Sequence, residues 1–371
     1  MEETRRKIAG EAKKVVIKVG SAVLAGEPFI HDRLAAEVRA LKARGREAVV
    51  VSSGAIATGM KQLGMKRRPA TIPERQAVAA AGQSSLMALY DAAFSRVDEK
   101  TAQVLLTHDD LSDRKRFLNA RNTLSTLLRL GIVPIINEND TVAVEELKFG
   151  DNDALSALVT NLIEADLLII LTDTDGLYET DPRKDPDARR IPCIEDVDAM
   201  DMCALSGSAG SLGTGGIRTK VEAARKAAHF GSATVIADGF TPGVVGHVLD
   251  GKDTGTLFLP KEDRLTSRKH WIAFSARPSG RVVVDSGARD ALLNRGKSLL
   301  PSGIKAVDGD FETGEVVHCV GEDGMEFARG LTNYSSAEVG LIKGHKSGEI
   351  ERVLGYKVYD EVIHRDNLVV I

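Results

Sequence analysis

The chain is short of cysteine, aromatic side chains and long apolar runs, and each shortage removes a class of protein. Its three cysteines, Cys193, Cys203 and Cys319, are odd in number and show no paired spacing. That excludes a disulfide framework and predicts reduced thiols in a cytoplasmic protein. Aromatic residues are 4% of the chain, too few for an aromatic-rich β-sandwich or lectin. The longest apolar runs, such as LLIIL at 167–171, fall far below the ~20 residues a membrane-spanning helix needs, so no membrane span is expected. The eight histidines form no HExxH and no Cys/His ligand pattern, so structural roles are expected for them.

An excess of positive charge is also missing. The formal net charge is −4, and residues 280–371 carry 11 Lys and Arg against 15 Asp and Glu. Nucleic-acid binders use Lys and Arg to neutralise phosphates, so this balance argues against a nucleic-acid partner. The amino-terminal MEETRRKIAGEAKKV mixes acids with bases and has no apolar centre, unlike a secretory signal or a transit peptide.

What is present is apolar surface in a repeating order. Hydrophobic residues make up 43% of the 371, enough for two cores. Short β-branched runs (KVVIKVG, EAVVVSSG, AQVLLT, GIVPIIN, ADLLIILTD, SATVIADG) alternate with helix-compatible segments at 31–44, 74–97, 116–130, 153–164 and 217–230. Alternation of this kind predicts an α/β fold, a mostly parallel sheet sandwiched by helices. Residues 1–262 form this domain. Residues 263–279, charged and ending in a proline-bounded stretch, read as a linker. Residues 280–371 open with RVVVD and continue as β-like pieces between glycine turns, a second and smaller β-rich domain followed by a tail.

Several stretches carry chemistry. GTGGIRTK at 213–220 leads into a helical run. Its lysine does not directly follow the last glycine, so it is not a P-loop. Glycines would still let backbone N–H groups approach an anion at a helix N-terminus, where Arg218 and Lys220 are unfavourable unless an anion arrives. A plain surface turn is the competing reading. ALLNRGKS at 291–298 imitates a P-loop, but its first residues read as helix, Gly296 as the C-terminal cap, and Pro301 prevents a following helix.

Lys18 lies inside a strand between Ile17 and Val19. It needs an anionic partner if buried, or it snorkels from a sheet edge. Ser53 ends a strand in a Ser-Ser-Gly turn, where α/β sheets bind ligands; an ordinary helix N-cap is the alternative for Ser52 or Ser53. NENDTVA and FGDNDALSAL place Asn137, Glu138, Asn139, Asp140, Asp151, Asn152 and Asp153 in a short span. Such a group could receive an ammonium, position a lysine or approach Mg²⁺. Thr172 and Asp173 end another strand, where a nucleotide base or ribose could lodge.

Taken in order, KVVIKVGS, VVSSGAIATG, PIINENDTVA, GDNDALSA, LLTDTDGLY and LGTGGIRTK resemble the amino acid kinase family over essentially the whole chain. The region GRVVVDSGARDALL…GIKAVDGDF…GEVV resembles the PUA domain appended to some members. SSGAIATG, and INEND followed by GDNDALSA, separate the chain from the acetylglutamate, carbamate and uridylate kinase branches. The resemblance implies ATP-dependent phosphorylation of the γ-carboxylate of L-glutamate, the first step towards proline. It implies that Lys18 and Lys220 contact the ATP phosphates, with Asp153 holding both. Ser53, Asp140 and Asn152 would bind glutamate. Thr172, Asp173 and the loop Thr214, Gly215, Gly216, Ile217, Arg218, Thr219 and Lys220 would bind ATP. Mg²⁺, feedback inhibition by proline and a homo-oligomer are further family expectations. Another acidic amino acid as substrate, or RNA binding through the PUA-like domain, are the competing functions.

Overall fold

The computed structural model describes residues 2–26, 29–143, 152–180, 182, 185, 187–200, 216–261, 272 and 278–371. The chain divides into two compact units: Met1–Ser112 with Ala120–Glu262, and Asp113–Asn119 with Asp263–Ile371.

The larger unit is built on strands β1 (Lys14–Val19), β2 (Glu47–Ser52), β3 (Thr101–Leu106), β4 (Val133–Glu138), β5 (Leu167–Thr172), β6 (Leu177–Tyr178), β7 (Arg190–Ile191), β8 (Cys193–Ile194), β9 (Ala233–Asp238) and β10 (Thr256–Phe258). Eight of them form one sheet in the order β3-β4-β2-β1-β5-β9-β10-β8, while β6 and β7 pair with each other. Every pairing in the large sheet is parallel except β9 with β10. The expected α/β architecture is therefore present. All six residues of LLIILT in β5 are buried, as a strand covered on both faces requires.

The helices are α1 (Glu2–Glu11), α2 (Ser21–Gly26), α3 (Ile30–Ala43), α4 (Ala55–Gln62), α5 (Ile72–Ser95), α6 (His108–Ser112), α7 (Arg114–Arg129), α8 (Asn152–Leu162), α9 (Ile217–His229) and α10 (Val244–Leu249). No described helix is long and apolar enough to cross a membrane. The start of α5 is set by a capping box, in which the Thr71 side chain accepts from the Glu74 amide and Glu74 accepts from the Thr71 amide. Helices α4 and α5 touch backbone to backbone. A Cβ added to Gly82 would lie 1.9 Å from the Ala55 carbonyl oxygen and 2.3 Å from the Gly59 amide nitrogen.

Strand β1 sits between β2 and β5, and the chain leaves it towards β2 on one side before returning to place β5 on the other. This reversal opens a crevice at the carboxyl ends of the strands. The turns there are tied across strands: Ser53 N donates to Val19 O at 3.2 Å, Gly20 N to Leu171 O at 3.1 Å and Gly239 N to Thr172 O at 2.7 Å.

The second unit holds β11 (Gly280–Val284), β12 (Ile304–Gly309), β13 (Val316–Val320), β14 (Glu326–Leu331) and β15 (Leu368–Val370), with α11 (Ser286–Arg295), α12 (Ser336–Ile342) and α13 (Ile350–Leu354). Its five strands are ordered β12-β11-β13-β14-β15. Only β11 with β13 is parallel. Val282, Leu292, Phe311, Cys319 and Tyr334 belong to its core. Gly296 closes α11 in the left-handed conformation and a 3₁₀ turn follows at Pro301–Gly303, so ALLNRGKS is a helix end and not a phosphate loop. Among the described residues Cys193 and Cys319 are free thiols; Cys203 lies outside them.

Candidate active site

Three elements from distant parts of the chain meet at one carboxylate. Lys18 is the fifth residue of β1 and is 3% exposed; Asp153, in the first turn of α8, is 0% exposed; Lys220, in the first turn of α9, is 6% exposed. Lys18 Nζ is paired with Asp153 Oδ1. Lys220 Nζ lies 3.1 Å from Asp153 Oδ2. The Thr219 hydroxyl donates to the same Oδ2 at 2.8 Å. Snorkelling of Lys18 is thus ruled out, and the buried cation has the anionic partner that burial demands. Burial alone would raise the Asp153 pKa, but the charges of Lys18 and Lys220, with hydrogen bonds from Lys18 and Thr219, hold it below the usual carboxylate range. Asp153 is not a helix cap. It is the counter-ion of two lysines.

A carboxylate flanked by two ammonium groups leaves net positive charge at the open end of a parallel sheet. The N-terminus of α9 adds to it: Gly216 at the N-cap makes no side-chain capping bond, and although Thr219 N–H donates to Gly216 O at 3.2 Å, the amides of Ile217 and Arg218 face the helix end where an anion can be received. Ile217 is half-buried there and Arg218 is exposed. Thr214 and Gly215, the remaining loop positions, lie outside the described residues, as does Asp151.

One residue earlier on α8, Asn152 organises a polar cup. Its Nδ2 lies 3.1 Å from Ser52 O, 3.1 Å from Ser53 Oγ and 2.9 Å from Asn137 Oδ1. Two of these are pure acceptors, which fixes the orientation of the amide. Its Oδ1 is buried and has no hydrogen-bond partner among the described residues, an arrangement that leaves an acceptor for an incoming donor. Neither Ser52 nor Ser53 caps α4; that place belongs to Gly54, at φ 106°, a conformation glycine adopts without strain.

Asp140 stands two residues past β4, and burial raises its pKa to about 6. It makes no hydrogen bond to the Lys18, Asp153 and Lys220 group. At the end of β5, Thr172 is buried and donates to Asp173 at 3.0 Å, while Asp173 itself is exposed. Their strand β5 lies directly beside β1, which carries Lys18, and two strands from β2, whose end forms the Asn152 cup. The residues missed by reading the sequence are Ser52, Gln83 and Tyr90, all directly behind the cup. The signal was the placement of Gln76, Gln83 and Tyr90 at seven-residue spacing along the long, alanine-rich α5.

A mostly parallel α/β sheet that places a buried lysine pair beside an amide-hydroxyl cup at its open end has the groups an enzyme handling phosphate would use. Residues 13–238 match the model of the amino acid kinase family and residues 280–354 that of the PUA domain. Glutamate 5-kinase of Geobacter sulfurreducens is 54% identical over 372 residues, with 99% of this chain and 100% of that protein covered. Glutamate 5-kinases of Pelobacter propionicus and Burkholderia ambifaria are 50% and 53% identical over 372 residues, each with 99% of this chain and 100% of the relative covered. The chain belongs to the amino acid kinase family, with a PUA domain at its carboxyl side.

Proposed function

We propose that the chain transfers the γ-phosphoryl group of ATP to the γ-carboxylate of L-glutamate, giving glutamyl 5-phosphate and ADP, the entry step to proline. The observation that carries this reading is the adjacency of Asn152 and Asp153. The first anchors a cup suited to an amino acid, and the second holds two lysines suited to phosphate.

In this reading one oxygen of the glutamate γ-carboxylate attacks the γ-phosphorus, the bond from that phosphorus to the bridging oxygen breaks, and ADP leaves with the electron pair. A carboxylate with an ordinary pKa near 4.3 is already ionised at neutral pH, so no general base is needed. What the protein supplies is position and positive charge. Lys18 and Lys220 stabilise the charge that develops on the transferred group. Gly216, Ile217, Arg218 and Thr219, with Thr214 and Gly215, form the nucleotide loop. Thr172 and Asp173 hold the nucleoside end.

Asn152 Oδ1 accepts a hydrogen from the α-ammonium, and Asp140 opposes that ammonium with a carboxylate. Ser53 Oγ, already an acceptor from Asn152, donates its proton to a substrate carboxylate. Both Asp153 oxygens are engaged by ammonium groups, so the residues fit a Mg²⁺ that is carried on the phosphates better than one caged by protein. Bound there, Mg²⁺ would neutralise part of the phosphate charge.

The same reading takes residues 1–262 as the kinase domain, 263–279 as a linker and 280–371 as the PUA domain and tail; most of the linker lies outside the described residues. The free thiols Cys193 and Cys319 support a reducing, cytoplasmic setting. Inhibition by proline and self-assembly belong to the same proposal.

A coupled ADP-release assay with ATP and Mg²⁺ tests it. Glutamate should support turnover at least tenfold better than aspartate or N-acetylglutamate, and added proline should slow it. Equal rates on the three acids, or none on glutamate, would refute the substrate assignment.

A further inference from the structure

Helix α5 faces the cup with three polar side chains seven residues apart, Gln76, Gln83 and Tyr90. Seven residues is about two helical turns, so the three lie along one face. Each is bonded to a different segment of the cup's wall. Tyr90 is 0% exposed and its hydroxyl donates to Ser52 Oγ at 2.8 Å. Ser52 Oγ in turn donates to the Ser53 carbonyl at 2.9 Å. Gln83 Oε1 accepts from Asn137 Nδ2 at 2.8 Å, which leaves Asn137 Oδ1 facing Asn152 Nδ2. Gln76 Nε2 donates to the Ala143 carbonyl at 3.2 Å, at the end of the segment that carries Asp140.

These bonds form two chains that converge on Asn152 and Ser53. One runs from Tyr90 through Ser52 to the Ser53 peptide; the other runs from Gln83 through Asn137 to the Asn152 amide. The Tyr90 ring is itself clamped, edge-on to His31 with centroids 4.7 Å apart and 6.2 Å from Phe94. A rotamer locked at one end transmits its orientation to the polar group at the other, because every buried donor and acceptor in such a network has one satisfying arrangement.

We propose that Tyr90 and Gln83 are positioning residues of the amino-acid site, acting through Ser52 and Asn137 to hold Ser53 and Asn152 in the geometry that receives the substrate's polar groups. This rests on the assignment of Ser53 and Asn152 to glutamate. Precise placement matters for binding because misaligned hydrogen-bond partners lose most of their value. Lys18 and Lys220 pair with Asp153, whose carboxylate also accepts from Thr219, so the effect should fall on the amino-acid side.

Steady-state kinetics of the full chain test it, with Tyr90→Phe, which keeps the ring and removes one hydroxyl, and with Gln83→Leu at a half-buried position. Each variant should raise the KM for glutamate by about fivefold to tenfold, the scale of one lost buried hydrogen bond. The kcat and the KM for ATP should stay within about twofold of the parent. The double variant Tyr90→Phe with Ser52→Ala should be no worse than Ser52→Ala alone, since both act through one bond. An unchanged glutamate KM in both single variants, or equal rises in the KM values for glutamate and ATP, overturns the proposal. A parent enzyme that does not turn over glutamate refutes the substrate reading itself and the positioning role with it.

Discussion

Lys18 and Lys220 share the carboxylate of Asp153, one ammonium group on each oxygen. With Asp153 fully buried, the trio carries one net positive charge where the sheet opens, and neither lysine can be altered without unbalancing the other two groups. Lys18→Ala or Lys220→Ala should lower kcat by about 10²- to 10³-fold, as the loss of a preorganised charge does. Circular dichroism should still report the native helix content. Near-normal turnover in either variant would remove the lysine from its role.

Asp153→Ala should act differently, through stability. It leaves two buried ammonium groups facing each other without an anion, a change that costs about 3–5 kcal/mol in other buried ion pairs. Chemical denaturation would show the midpoint falling at constant slope. Because the folded-state pKa of Asp153 is depressed, the stabilisation from this carboxylate is present above its unfolded value and is lost as pH falls below the ordinary carboxylate range.

The pH dependence of glutamate binding should come from Asp140. Its pKa is raised by burial to about 6, so the carboxylate is charged at pH 7.5 and becomes neutral as pH falls through 6. Opposition to the substrate ammonium is lost in the same window, and the KM for glutamate should rise several-fold between pH 7.5 and 5.5. In Asp140→Asn the KM should be high throughout and flat across that range. A flat profile in the parent enzyme would show that Asp140 does not face the ammonium.

Two glycine substitutions should separate packing from propensity. In Gly82→Ala the new methyl would sit 1.9 Å from the Ala55 carbonyl oxygen, so α4 and α5 must part. We expect a loss of about 1–3 kcal/mol in stability, the range of overpacked cores, with a raised glutamate KM because α4 follows the Ser53 turn. A Cβ on Gly340, inside α12, meets nothing within 4 Å. Gly340→Ala should raise the melting temperature of the second unit, with a gain of about 0.5–1 kcal/mol from helix propensity, and leave turnover unchanged.

The strands could be read from the sequence because a parallel sheet buries both faces, and runs such as KVVIKV and LLIILT have no other comfortable place. The helix read at 217–230 and found at Ile217–His229 was legible from helical rather than strand periodicity, and the start of β11 at Gly280 from a short β-branched run after a proline-bounded stretch. Lys18 was suspect because a lysine within such a run needs an anion. The sequence alone also told that GTGGIRTK is not a P-loop, since lysine spacing is a local property. A helix cap was the alternative reading for Ser52 or Ser53, because Ser-Ser-Gly before a helix suits a cap; only the fold shows that Gly54 takes the cap position and the helix begins at Ala55.

By itself, then, the sequence determined which segments are buried strands, which are amphipathic helices and which residues are chemically able to meet phosphate or an amino acid. These follow from periodicity and side-chain type, which are local. The tertiary structure alone decided that Asp153, from the start of α8, neutralises lysines from β1 and α9, and that Gln83 and Tyr90 of α5 stand behind the cup. Such pairings depend on strand order and helix crossing, set by the packing of the whole sheet, and no spacing along the chain encodes them.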